Sequence, residues 1–161
     1  MLELPHSPLR RKLFERVVDE GFDALVDIEG LLLVERRNPR KDREKNLMCD
    51  WFVFNRCLEE RWYKRWRAQD SSELFDLFSD TSGVLAEQGY RSVSRPKDGD
   101  VVAYADRYLY DRRQFLTRHF GLWEHGDVVS KWCEGHVFLH PVGHFFDYYG
   151  KYVRFYRRNG R

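Results

Sequence analysis

The first half of the chain carries its apolar residues mostly at helical spacing, and the second half carries them in short strand-like runs. Ser7-Pro8 reads as an N-cap followed by proline at the first helical position. Leu9, Leu13, Phe14 and Val17 then recur along one helical face, and Gly21 closes the segment. Phe22 to Ile28 and Leu31 to Arg36 read as two short strands of a hairpin around Glu29-Gly30. Arg37 to Lys45 is a charged loop containing Pro39. From Cys49 to Ala68, Phe52, Leu58, Trp62 and Trp66 fall near one stripe among Arg56, Arg61, Lys64, Arg65 and Arg67, which predicts a long helix. Asp70 with Glu73 has the form of a capping box and predicts a short helix through Phe78. Another helix, Gly83 to Gln88, ends at Gly89.

From Tyr90 onward the pattern predicts strands over Asp100–Ala105, Arg118–Glu124, Val128–Trp132, His136–Leu139 and Tyr152–Tyr156. Glu124-His125-Gly126-Asp127 is the hairpin turn between the second and third of these. Asp106 to Phe115, rich in Arg and Tyr, reads as a loop or insertion. Helices followed by an antiparallel second half indicate an α+β domain. A length of 161 residues fits one domain, with residues 1–45 as a helix-and-hairpin extension to a core over residues 46–157.

Composition narrows the function. Hydrophobic residues make up 42% of the chain and aromatics 16%, enough for a packed core. The 28 basic and 26 acidic residues nearly cancel, which gives no electrostatic case for nucleic acid. Three cysteines, Cys49, Cys57 and Cys133, cannot all pair within one chain, and a reducing compartment is the simpler reading. The N-terminus lacks the basic and apolar regions of a signal peptide, and no run is long enough for a membrane span. The expectation is a soluble cytoplasmic protein, or an effector exported without a visible signal.

The candidate chemistry lies in Cys49 and His119, each in an apolar run and far apart in sequence. A thiol needs a neighbouring base to become a good nucleophile at neutral pH. Met48-Cys49-Asp50-Trp51-Phe52-Val53 resembles the motif that carries the cysteine at a helix N-terminus in the NlpC-type branch of papain-like cysteine peptidases. Pro96 and then Gly99-Asp100-Val101-Val102-Ala103-Tyr104 are similar to that family's opening of its first central strand. His119-Phe120-Gly121-Leu122-Trp123 resembles the strand that carries its histidine, Val128-Val129-Ser130-Lys131 the next strand, and Tyr149 to Tyr156 the terminal strand. The resemblance covers roughly residues 46–157 and implies a papain-like fold with N-terminal helices packed on a C-terminal antiparallel sheet. It also implies Cys49 as nucleophile and His119 as base, with the Cys49 amide helping to hold an oxyanion.

The family's third polar residue falls here on Lys131, whose ammonium has no acceptor for a ring N–H. Ser130, His136 and His140 are the nearby substitutes. Met48 stands where the family has aspartate. Asp50 replaces a small residue, and its carboxylate raises a neighbouring thiol's pKa.

Other readings compete with this one. Cys49 also fits a buried core thiol. Cys133, His136, His140 and His144 are ligand types that suit zinc, but Gly135, Pro141 and Gly143 argue against the helix that would align them, and no metal is expected. The Trp62/Trp66 stripe suits an amphipathic helix as well as a stacking platform for single strands. The sequence thus predicts a cofactor-free thiol hydrolase or acyl transferase with a peptide, isopeptide or similar amide or ester substrate. The alternative is an inactive papain-like fold that serves as a protein-binding or immunity module. Neither reading includes a nucleic-acid or membrane partner.

Overall fold

Among the described residues, every pair of neighbouring strands is antiparallel. A computed structural model describes residues 1–38, 40–41, 49–57, 78–108, 114–133 and 135–160, with backbone alone for Trp51 and residues 55–57. Within them, eight strands form one sheet: β1 (Leu2–Glu3), β2 (Leu32–Glu35), β3 (Tyr90–Val93), β4 (Val101–Arg107), β5 (Phe115–Glu124), β6 (Asp127–Lys131), β7 (Val137–His140) and β8 (Tyr152–Arg158). Their order is β1-β8-β4-β5-β6-β7-β2, with β3 also paired to β8. The N-terminal segment therefore supplies strands at both edges.

Helix α1, Pro8–Glu20, starts on proline after Ser7 and ends where the Gly21 amide donates to the Val17 carbonyl. Its Leu13 packs on one face of the sheet with Leu25, Val102, Tyr104, Phe145 and Phe146. Helix α2, Cys49–Cys57, and helix α3, Thr81–Glu87, cover the other face. There Phe52, Val53, Phe54 and Leu85 meet Val101, Ala103, Phe120 and Tyr156. Alternation along β4 and β5 feeds both cores at once, so helical cover on each side is required. The result is an α+β architecture around one antiparallel sheet.

The turn between β5 and β6 forms as predicted. Glu124 pairs with Asp127, and His125 and Gly126 both have positive φ, 52° and 96°. That geometry matches strand twist in two-residue hairpins. The β4–β5 pairing carries one irregularity: Tyr104 faces His119 but Ala105 faces Thr117, so Arg118 is an extra, exposed residue.

Two expectations need correction. The predicted strand Phe22 to Ile28 is a 3₁₀ turn over Phe22–Leu25. Its amides bond three residues back, Ala24 to Gly21, Val26 to Asp23 and Ile28 to Leu25, so they are satisfied locally and need no partner strand. The hairpin around Glu29-Gly30 is likewise absent, because β2 pairs with β7 in the register Leu32 to Leu139. The helix predicted over Cys49–Ala68 lies outside the described residues beyond Cys57, as does the Asp70–Phe78 helix before Phe78.

Two charged contacts hold the connections. Arg157 grips Asp100 with both arms, Nε to Oδ1 at 3.0 Å and Nη2 to Oδ2 at 2.7 Å, which ties the turn before β4 to β8. Arg10, almost fully buried on α1, donates to the carbonyls of Phe145, Phe146 and Gly150 and lies 4.6 Å from the Phe145 ring centroid. It thereby fixes the segment leading into β8. Gly150 has φ 102°, and a Cβ there would approach the Ala105 carbonyl oxygen to 2.2 Å, so this segment presses directly on β4.

Replacing Arg10 by Met strands three carbonyls while keeping much of the side-chain volume. The expected loss is about 3 kcal/mol in stability, read from denaturant unfolding. A loss under about 0.5 kcal/mol would show that the clamp is dispensable.

Candidate functional site

Consecutive side chains of β5 face opposite ways, and this places the two candidate residues. Phe120 points to the helix face, with ring centroids 5.1 Å from Phe54 and 5.5 Å from Phe78. His119 points to the other face. Its imidazole stacks on Tyr149 at 4.0 Å and 10° and sits 5.8 Å from the ring of Tyr104. Two residues on, Gly121 leaves room for neighbours: a Cβ there would meet Val128 Cγ1 at 2.5 Å and Ser130 Cβ at 3.1 Å.

The thiol of Cys49 approaches β5 at the same place. Strand β6 pairs with β5 over Leu122–Glu124, and beyond that pairing α2 packs against β5. The backbone amides of Phe120 and Asp50 both lie close enough to favour the Cys49 thiolate. Asp50 is in the first turn of α2, where amides lack partners within the helix. Cys49 therefore lies beside the amide that follows His119 in the chain. No hydrogen bond joins the two residues, however. Neither ring nitrogen of His119 has a partner among the described residues.

Burial controls the charge state of both groups. Cys49 is 7% exposed, and desolvation pushes its pKa far above the usual thiol range. The Asp50 carboxylate and Cys133 push it the same way, and the two amides oppose them. His119 is fully buried, and its pKa falls well below the usual range through desolvation, aided by nearby His140. Burial thus favours the neutral thiol and the neutral imidazole.

The four residues considered for the third position are engaged elsewhere, and none hydrogen-bonds His119. Lys131 is fully buried, and its ammonium donates to the carbonyls of Cys133 at 3.0 Å and Gly135 at 2.9 Å, which holds the β6–β7 turn. Ser130 Oγ accepts from Trp132 Nε1 at 3.0 Å and bonds His140 Nε2 at 2.8 Å. His140 Nδ1 faces the Pro141 carbonyl at 2.9 Å. A carbonyl only accepts, so Nδ1 carries the proton and Nε2 accepts from Ser130. His136 Nδ1 accepts from the Arg37 amide at 3.0 Å, and its Nε2 faces Asp23 Oδ1 at 3.2 Å. Among the described residues no group of three metal-capable side chains converges, and Cys133, His136 and His140 each have their own partners.

Sequence reasoning missed Tyr149. It stacks on His119 and bonds the Cys133 thiol through its hydroxyl at 2.7 Å, while Tyr148 reaches the same sulfur at 3.0 Å. Cys133 has a positive φ of 50°, which turns the chain after β6. The only local signal was an aromatic pair before Gly150.

His140 supplies a pH prediction. Burial, with His144 nearby, holds its pKa down at about 4 despite the Pro141 carbonyl, against about 6.5 when unfolded. The unfolded chain therefore binds more protons between these values. Stability is complete above about pH 6.5 and falls as pH drops toward about 4, by roughly 3 kcal/mol from this residue. Chemical unfolding across that range reads the slope, and His140→Gln flattens it. An equal slope in the variant would assign the loss to other groups.

Comparison of this chain with protein-family models, with curated proteins and with solved structures finds no match in any of the three.

Proposed function

We propose that this protein is a thiol hydrolase or acyl transferase of the papain-like NlpC type, acting on a peptide, isopeptide or similar amide or ester. The observation that carries this reading is the thiol of Cys49, in the first turn of α2, lying at the Phe120 amide directly after His119. A helix N-terminus and a strand histidine are the two supports that such a nucleophile needs.

The neutral resting state dictates the order of proton transfer. Sγ of Cys49 forms a bond to the substrate's carbonyl carbon as its proton passes to a His119 ring nitrogen, so no separated ion pair has to persist in the buried site. The negative charge that develops on the carbonyl oxygen is met by the amides that favour the thiolate. His119 then returns the proton to the leaving amine or alcohol as that bond breaks. Water or an amine resolves the thioester, with His119 taking and returning the second proton.

One observation favours a second reading, a papain-like fold retained as a protein-binding or immunity module. Both reactive groups are held neutral, and no hydrogen bond links them.

Alkylation by iodoacetamide at pH 7 separates the two. In the enzyme reading, His119→Ala slows modification of Cys49 about 100-fold, while the rate at Cys133 is unchanged. Equal rates at Cys49 in parent and variant would leave no base for the thiol, and the binding-module reading would stand instead.

A further inference from the structure

On the helix face, where α3 meets β4, β5 and β8, a groove of about 210 Å³ lies between the start of α3 and the β4–β5 hairpin. Arg154 of β8 projects into it beside Thr117, Tyr156, Ser82 and Phe115. The guanidinium donates through Nη1 to Ser82 Oγ at 2.8 Å and sits 5.5 Å from the Phe115 ring centroid. Ser82 is in turn bonded to the Tyr156 hydroxyl at 2.8 Å, and the Thr81 and Thr117 hydroxyls bond each other at 2.6 Å. These contacts set the rotamers of the lining.

Arg154 and Arg157 of β8 differ in their partners. Arg157, on the same strand, is matched by both oxygens of Asp100. Arg154 has a hydroxyl and the Phe115 ring but no carboxylate within ion-pairing distance among the described residues. Asp80 also lines the groove; it is exposed, and its Oδ1 accepts from the Gly83 amide. Arg107 places a second guanidinium 5.6 Å from the Phe115 ring centroid. A half-buried fork with one of its five donors used among the described residues, positioned by side chains that are themselves hydrogen-bonded, suits an oxyanion.

We propose that this groove binds a small-molecule oxyanion, a carboxylate or a phosphate. Arg154 is its charged anchor, the Ser82 and Thr117 hydroxyls flank it, and the Phe115 ring lies against the ligand's carbon skeleton. The site does not depend on Cys49 or His119.

The test is an amide and arginine-side-chain NMR titration of the full chain with succinate, with inorganic phosphate, and with neutral succinamide. Saturable shifts centred on Ser82, Phe115, Thr117 and the Arg154 Nε–H are expected with at least one anion and are absent with succinamide. Stronger response to succinate assigns a carboxylate, and stronger response to phosphate assigns a phosphate. Arg154→Gln, with its fold checked by circular dichroism, weakens binding about tenfold or more. The proposal is overturned by shifts that never saturate, that centre elsewhere, that succinamide reproduces, or that persist undiminished in folded Arg154→Gln. If that variant does not fold, the map on the parent chain decides.

Discussion

The pairing of β5 with β4 is the constraint on which the remaining arrangement depends. Seven residue pairs lock the two strands, from Val101 with Leu122 to Arg107 with Phe115. Once this register is set, each side chain of β5 is committed to one core. Phe120 must enter the layer that receives Phe54 and Leu85, and His119 must enter the layer that receives Tyr104, Phe145 and Tyr149. A one-residue slip would exchange the two and bury a phenyl where an imidazole now stacks. Helix α2 packs on the Phe120 side, with Phe54 against that ring, and the Cys49 thiol reaches the strand at the Phe120 amide.

Desolvation explains the electrostatic character of the region better than any ion pair. Cys49, Tyr104, His119, His140 and Tyr149 are all displaced toward their neutral forms, and burial is the first cause in each case. The ionised groups of this layer are held differently. Arg10 retains its charge because three carbonyls and an aromatic face replace its water, and the Lys131 side chain donates to two carbonyls. Donor-only cations thus support turns, and the groups that can give up a charge line the space between them.

Local chemistry was readable in the sequence, and long-range partnership was not. The α1 boundaries follow from Pro8 and Gly21, with Ser7 at the N-cap position but making no side-chain cap hydrogen bond, and the β5–β6 turn follows from His125-Gly126, because helix ends and tight turns are decided within a few residues. The α+β class followed from the change in apolar spacing. The fate of Leu32 and Val34 did not, since their partner strand β7 lies about a hundred residues away and nothing nearby names it. The role of Asp100 was only half legible: its place before a strand was clear, but its bidentate partner Arg157 comes from the far end of the chain. For the candidate site, the family resemblance pointed to Cys49 and His119, whereas the stacking partner Tyr149 depends on how Arg10 and Gly150 seat the segment before β8.

The extra residue at Arg118 makes the two halves of β5 independent in phase. Thr117 and His119 are two apart in sequence, which in a regular strand would put them on one face, yet Thr117 meets Thr81 under α3 while His119 stacks in the opposite layer. The irregularity absorbs the odd residue, so the part of the hairpin near Gln114 can present its side chains without dictating where the imidazole points. Variation in the length of the loop between β4 and β5 is thereby uncoupled from the register at His119. A fold built this way can vary the lining at one end of the strand and keep the placement of His119 fixed at the other.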